Sequence, residues 1–159
     1  MKKKDNTPKG YRHENKFFVS IAEAVHIASK LQGVMKYDPH ADGLGKYKIS
    51  SVYFDNYENR ALKSSEMGVP RREKFRIRVY NRRDDYIKLE KKEKIRNLCR
   101  KTSVRITREI YDNILYGDAK LLLTLNSEVA NELYCAIKVQ GFRPVTVVEY
   151  DRRVFIHPI

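Results

Sequence analysis

The 159-residue sequence has little of what marks several common classes of protein. It contains no tryptophan, two cysteines, seven glycines and five prolines. So little glycine and proline excludes collagen-like and low-complexity chains, which depend on those residues. Cys99 and Cys135 are too far apart for a C-x-x-C metal or redox motif and too few for a disulfide scaffold. The cysteine content therefore favours a reducing, cytoplasmic location.

Long apolar runs are also absent. The longest, residues 121–125, is interrupted by Thr124, whereas a bilayer-spanning helix needs about 20 apolar residues. The lysines at positions 2–4 are not followed by an apolar stretch, so no secretory signal is predicted. We expect residues 1–10 to form a flexible basic tail and residues 11–159 one domain without a transmembrane segment, in the cytoplasm or at the cytoplasmic face of a membrane.

Positive charge is what the sequence has in excess. Lysine and arginine total 33 against 20 aspartate and glutamate residues, which gives a net charge of +13. Residues 71–108 hold 16 of the cations and 5 of the acids, so this segment carries most of the excess. Apolar residues are threaded through it, which predicts a folded basic surface rather than a disordered arm. Such a surface favours a polyanionic partner: nucleic acid, a phosphate compound or an anionic membrane.

Alternating residues in this basic segment predict strands with one apolar and one cationic face. In residues 72–80, Phe75 and Ile77 alternate with Arg76 and Arg78. A polar turn at residues 81–85 leads to a second alternating run, and together the two runs predict a β-hairpin. The second run, residues 85–96, alternates Ile87 and Leu89 with Lys88, Glu90, Lys92 and Lys94.

Further strands outnumber the helices. β-branched, aromatic or alternating residues predict strands at 12–17, 46–55, 102–107 and 145–152. An antiparallel sheet that brings several cationic faces together would curve into a tunnel or barrel. Because an unpaired buried charge costs several kcal/mol, that interior must hold water, counter-charges or a polyanion.

The predicted helices have recognisable ends. Ser20 followed by Glu23 is typical of a capping box, and the apolar helix that follows is expected to end at Gly33. Helical spacing also predicts helices at residues 107–115 and 127–139 and a short one at 56–65. Helices flanking an antiparallel tunnel or barrel place the chain in the α+β class.

Two arginines on one strand face suggest a phosphate site. Arg76 and Arg78 are separated by about 7 Å along a strand, and their guanidinium groups could hold neighbouring phosphates through paired hydrogen bonds. The alternative is that both are ordinary surface arginines. Glu90, on the neighbouring strand, could pair with an arginine or help to hold a divalent cation, and Glu14 beside Lys16 presents the same two choices.

An ordered series of motifs gives the sequence a family resemblance. The motifs are RHENKF at 12–17, SVYFD at 51–55, KFRIRVY at 74–80, LEKK at 89–92 and VEYDR at 148–152. In this order they resemble the VTC domain. That domain is the polyphosphate polymerase domain of the vacuolar transporter chaperone, within the CYTH-like triphosphate tunnel metalloenzymes.

The resemblance implies a basic antiparallel tunnel that binds ATP or another triphosphate together with polyphosphate. It also implies transfer of the γ-phosphate of ATP to a growing polyphosphate chain, assisted by a divalent metal, Mn²⁺ or Mg²⁺. The acceptor phosphate is then the nucleophile, so no side-chain nucleophile is required. By position in the motifs, the implied catalytic residues are Lys16, Arg76, Arg78, Lys92 and Arg152, together with Arg105, which stands in Ser103-Val104-Arg105 where the family motif has a lysine. The further binding residues are Arg12, Lys94 and Tyr150, and the metal ligands are Glu14 and Glu90.

One departure from the family pattern keeps other functions open. Family members continue beyond the Tyr-x-Arg element into more strands and a late metal-binding glutamate, whereas this sequence stops at Ile159. We therefore expect a C-terminally incomplete tunnel, which a second copy or a partner chain could complete. A non-catalytic polyanion-binding module and a tunnel triphosphatase are the alternatives. A nucleic-acid-binding protein is disfavoured, because the tyrosines and phenylalanines alternate as core residues as readily as they form a stacking platform.

Overall fold

The computed structural model describes residues 10–157, and nine residues of the predicted basic tail lie outside this range. The fold is α+β, as expected. Its strands are β1 (Arg12–His13), β2 (Lys36–Tyr37), β3 (Lys46–Asp55), β4 (Arg71–Tyr80), β5 (Arg83–Ile95), β6 (Leu98–Ile106), β7 (Arg143–Arg153) and β8 (Phe155–Ile156). Its helices are α1 (Ile21–Gln32), α2 (Arg60–Glu66), α3 (Arg108–Leu115) and α4 (Glu128–Gln140), with a 3-10 helix at Lys120–Leu125.

Six strands form one antiparallel sheet in the order β1-β6-β5-β4-β3-β7. Strands β2 and β8 pair separately as a two-stranded ribbon. The expected antiparallel sheet with flanking helices is thus confirmed, but within the described residues the six strands do not close into a barrel, and β1 and β7 are the two edges. None of the described helices is long and apolar enough to cross a membrane.

The central hairpin, β4–β5, is tighter than the sequence suggested. A turn of Asn81 and Arg82 joins the strands, and both residues have positive φ, 51° and 55°. Two left-handed residues in succession match the twist of paired strands. Strand β5 therefore begins at Arg83, and the prediction of a five-residue turn at 81–85 was wrong.

Strands β3 to β6 of the central sheet each have one apolar side, here called the core face. Val52, Ile77, Leu89 and Val104 stand side by side across four strands, β3 to β6. Ile77 and Leu89 are fully buried. Helices α3, α4 and the 3-10 helix cover this face through Ile110, Ile114, Leu122 and Leu133. The opposite side, here called the cleft face, is the one that carries the predicted cationic residues.

Local interactions of side chains with the backbone fix several helix ends. Ser20 and Glu23 form the predicted capping box of α1. Asp55 shortens the predicted helix at 56–65, because its carboxylate accepts hydrogen bonds from the backbone N–H groups of Ala61 and Leu62, at 2.8 and 3.0 Å. These bonds satisfy N–H donors in the first turn of α2, which begins at Arg60.

Three features differ from the sequence-based expectation. Strand β1 covers two residues of the strand predicted at 12–17, whereas β6 and β7 extend beyond their predicted bounds. The apolar side of α1 is not packed within the described part of the chain: Ile21 and Val25 are exposed, and Ala28 is its buried residue. Helical spacing predicts a helix, but it does not determine what covers the helix.

Candidate functional site

The β4–β5 hairpin carries a ladder of opposed cations on the cleft face. Residues directly opposite each other in an antiparallel pair point to the same side of the sheet. Four such pairs occupy the cleft face of this hairpin, and three of the four join two cations. The pairs are Arg72 with Lys94, Lys74 with Lys92, Arg76 with Glu90, and Arg78 with Lys88.

The neighbouring strands extend this ladder. On one side, β6 places Lys101 opposite Lys92 and Arg105 opposite Lys88. On the other side, Tyr53 of β3 lies opposite Arg76. Beyond β3, edge strand β7 adds Tyr150 and Arg152, which lie opposite Ile49 and Tyr47.

The ladder forms the floor of an open cleft of about 1240 Å³. Among residues 10–157, nine lysines and arginines and one carboxylate, that of Glu14, line the cleft. The cations are Arg12, Lys16, Arg76, Arg78, Lys92, Arg100, Lys101, Arg152 and Arg153. An overlapping cleft of about 520 Å³ continues along β4 and β5 past Arg72, Lys74 and Lys94. The strong excess of positive charge makes the cleft suited to a polyanion.

Glu90 is the buried counter-charge beneath the cleft. Its side chain has no exposed surface, and its Oε2 atom lies 2.7 Å from Nη2 and 2.8 Å from Nε of Arg76. Arg78 and Lys101 approach the same carboxylate, at 3.7 and 3.4 Å. Burial alone would raise the pKa of Glu90, but the three cations outweigh burial and hold that pKa below its usual range. Glu90 is therefore ionised at neutral pH and holds its cations in place.

The two motif arginines are positioned differently. The Arg76 guanidinium donates to Glu90 and, at 3.2 Å, to the hydroxyl of Tyr53. Burial opposes its charge, but the pairing with Glu90 raises the pKa of Arg76 above the usual value. Arg78 is 4% exposed, and it donates to the Tyr150 hydroxyl at 3.4 Å. Arg78 Nε and the hydroxyl of Ser51, its neighbour on β3, have no hydrogen-bond partner among the described residues.

The segment after β1 forms one wall of the cleft. Glu14 and Lys16 both line it, and the ammonium group of Lys92 forms an ion pair with the Glu14 carboxylate. The hydrogen bond from Lys92 keeps the pKa of Glu14 below its usual value. Lys16 makes no ion pair with another described residue, so its charge is available to a ligand.

Most of the sequence-predicted site residues meet in this cleft. Eight of them line the main cleft directly, Lys94 lines its continuation, and Glu90 lies beneath it. The eight are Arg12, Glu14, Lys16, Arg76, Arg78, Lys92 and, on β7, Tyr150 and Arg152. Arg105 lies apart, because its guanidinium donates to the backbone oxygen of Asp85 and packs over the ring of Tyr86.

Sequence reasoning missed several residues of the cleft. Arg72 and Lys74 share the alternation of Arg76 and Arg78 along β4, so a usable signal for them was present. Lys101 had no such signal, because its place depends on the β5–β6 register and on β6 beginning before residue 102.

The carboxylates of the cleft suit salt bridges better than a metal cage. Within residues 10–157, no group of three or more histidine, cysteine, aspartate or glutamate side chains is placed to hold a metal ion. Both oxygens of Glu90 are engaged by cations, and Glu14 is paired with Lys92. A divalent cation here would need phosphate oxygens and water as most of its ligands. The roles of Glu14 and Glu90 as metal ligands stay predictions.

A comparison with known families agrees with this geometry. No curated protein sequence matches the chain. A family model described as "VTC domain" matches residues 11–159, which is nearly the whole sequence. The match spans every strand of the sheet and every residue that lines the cleft. The chain therefore belongs to the VTC domain family.

Proposed function

We propose that the cleft binds the phosphate chain of ATP and of polyphosphate, and that the chain transfers the γ-phosphate of ATP to a growing polyphosphate. The observation that carries this proposal is the ladder of opposed cations. Like charges directly opposite each other in a sheet are destabilising, by roughly 0.2–1 kcal/mol per pair. Arg72 with Lys94, Lys74 with Lys92, and Arg78 with Lys88 all carry this cost. A linear polyanion lying along the ladder would offset this repulsion between like charges.

Spacing along the strands also suits a chain of phosphates. Arg76 and Arg78 are two residues apart, about 7 Å at the usual strand rise. The opposed pair of Lys74 and Lys92 follows at the same interval beyond Arg76. Guanidinium groups bind phosphate oxygens through paired hydrogen bonds, whereas lysines act as point charges. Successive phosphates of one ligand would therefore contact successive cations of the ladder.

Phosphoryl transfer in this cleft requires positioning and charge stabilisation. An oxygen of the terminal acceptor phosphate attacks the γ-phosphorus of ATP, the bond between that phosphorus and the β-bridging oxygen breaks, and ADP leaves. Arg76, Arg78 and Lys92 would stabilise the negative charge on the transferring group. Lys16 and Arg152, on opposite sides of the ladder, would hold the two phosphate chains. A divalent metal, when bound, supplies further neutralisation of phosphate charge.

A binding module without turnover is the second candidate. Two observations favour it. The open sheet does not enclose a ligand, and Glu90 is paired with cations, so it is less available to hold the metal of a metal–ATP complex. A triphosphatase, in which water replaces the acceptor phosphate, would use the same cations.

One incubation separates these functions. The purified chain is mixed with ATP and Mn²⁺ or Mg²⁺, polymeric phosphate is resolved from free phosphate, and tripolyphosphate binding is measured by calorimetry. Polymer supports the polymerase, and free phosphate alone supports the triphosphatase. Tripolyphosphate binding without turnover supports the binding module. If neither binding nor turnover occurs, the proposal is wrong and a nucleic-acid ligand should be tested instead.

A further inference from the structure

A second basic groove adjoins the cleft where β3 ends. The pairing of β3 with β4 reaches Phe54 and Phe75, so the first four residues of β4 have no partner on β3. There α2 packs beside β4, and a groove of about 260 Å³ lies between them. The groove and the cleft share Arg72 and Lys94, the last opposed pair of the ladder. The groove and the cleft therefore adjoin at this pair.

The charge of this groove is available to a ligand. Arg60, Arg71, Arg72 and Lys94 line it and form no ion pair with any carboxylate in the described part of the chain. Arg60 donates to the neutral side chain of Gln140, and Arg72 to the backbone oxygen of Val69. The groove is consequently a cationic path whose charges lack counter-ions.

The two acids of the groove do not cancel that charge. Glu73 lies 3.0 Å from the ammonium group of Lys91. Glu93 accepts a hydrogen bond from Arg100 at 2.7 Å and lies 3.7 Å from the same lysine. Lys91 and Arg100 do not line the groove, and they offset part of this negative charge, although Lys91 also pairs with Glu132 at 2.7 Å. Four cations without an ion pair therefore face two partly compensated carboxylates, and the groove has a net positive charge.

We propose that this groove is a second binding segment for long polyphosphate, which continues from the cleft over Arg72 and Lys94 onto Arg71 and Arg60. The inference rests on the proposed binding of phosphate chains in the cleft. Arg72 is four residues from Arg76, about 13 Å along the strand. A triphosphate held at Arg76 and Arg78 is too short to reach α2, whereas a polymer spans both segments. The groove therefore favours long chains over triphosphate.

Charge reversal in the groove tests this proposal. We compare the double variant Arg60→Glu, Arg71→Glu with the unmodified chain, using polyphosphate of about 100 phosphates and tripolyphosphate as the two probes. Linked binding segments multiply their affinities, so the long polymer should bind at least tenfold more weakly and with a smaller dependence on salt. Tripolyphosphate should bind with affinity changed by less than about threefold, because the reversed charges lie beyond its reach.

A matched control separates the groove from total charge. Lys120→Glu with Lys138→Glu makes the same change of net charge on the helical layer, and both residues are exposed. This control should retain long-chain affinity within about threefold. The proposal of a second binding segment would be contradicted if the two double variants lost equal affinity for long polyphosphate. It would also be contradicted if the groove variant lost equal affinity for long polyphosphate and for tripolyphosphate. Should charge reversal impair folding, seen by circular dichroism, the neutral pair Arg60→Gln, Arg71→Gln is expected to give the same selectivity with a smaller loss. Absence of tripolyphosphate binding by the unmodified chain would instead contradict the proposed function itself.

Discussion

The cleft face and the core face of the sheet are built from alternate residues of the same strands, yet they obey opposite rules. On the core face, Ile77 stands beside Leu89, and both are fully buried. One position closer to the hairpin turn, Arg78 stands beside Lys88 on the cleft face. The core face gains free energy from burial, whereas the cleft face gives some up to like-charge repulsion. The core face therefore stabilises the fold, whereas the cleft face concentrates positive charge at some cost in stability.

Rough magnitudes explain why the fold tolerates the repulsion. Burying one leucine or isoleucine side chain contributes about 1.5–3 kcal/mol. A like-charge pair across strands costs about 0.2–1 kcal/mol. A few buried side chains on the core face therefore outweigh the repulsion along the ladder. Glu90 reduces that repulsion further, because its buried carboxylate pairs with Arg76 and lies near Arg78 and Lys101.

The largest effect should come from removing both motif arginines of the cleft face. Arg76→Ala with Arg78→Ala should weaken tripolyphosphate binding at least 100-fold, because hydrogen bonds to charged groups contribute about 1.5–3 kcal/mol each. Calorimetry measures the affinity, and circular dichroism checks that the variant folds.

A conservative lysine variant separates the loss of binding from a loss of stability. Removing the arginines leaves Glu90 short of partners, so the alanine variant is destabilised as well. Arg76→Lys with Arg78→Lys keeps the charge but loses the planar donor geometry, and it should weaken binding about tenfold. Unchanged affinity in either folded variant would contradict the assignment of the cleft.

The next effect concerns the core face. Leu89→Ala should lower the free energy of unfolding by about 2–5 kcal/mol, because it removes a fully buried side chain. Urea denaturation measures this loss. Tripolyphosphate affinity, measured where the variant is still folded, should stay within twofold of the unmodified chain. A parallel loss of affinity would mean that the two faces are not independent.

An acid titration sharpens the role of Glu90. Its pKa in the folded state is lowered below the ordinary value of 4.5, so its stabilising effect is complete above pH 4.5 and is lost as pH falls through the folded pKa. The unfolding free energy of the unmodified chain should therefore fall in this acid range. In Glu90→Gln the slope should be smaller by up to about 1.4 kcal/mol per pH unit. If the free energy of unfolding had the same pH dependence in the two proteins, the ion pairs of Glu90 would not contribute to stability.

The smallest effect has opposite signs for stability and binding. Lys74→Gln removes one member of the pair with Lys92 and should stabilise the unliganded chain by about 0.2–1 kcal/mol at low salt. The gain should shrink as salt screens the repulsion. The same variant should bind tripolyphosphate a few-fold more weakly. Lys120→Gln, on the helical layer, serves as the control, and a stabilisation of equal size there would remove the special status of the ladder.

Many residues of the cleft could be predicted from the sequence, because strand alternation is a local property. Arg76, Arg78, Lys88 and Lys92 could be placed on one side of a hairpin from their spacing alone. The same alternation includes Arg72 and Lys74, which were not among the site residues assigned from the motifs. Lys101 could not be placed in this way, since its position opposite Lys92 depends on the pairing of β5 with β6. Arg105 carries the charge that the motif requires, but its contacts with Asp85 and Tyr86 hold it apart from the cleft.

What the sequence determined by itself is therefore the alternating pattern, the capping of α1 by Ser20 and the excess of positive charge. These follow from residues that are near each other in the chain. Only the tertiary structure decided that Glu90 lies buried among three cations, that α1 leaves Ile21 and Val25 exposed, and that a basic groove beside α2 adjoins the cleft. Each of these depends on strand register or on helix placement, and both are set by packing between residues distant in sequence.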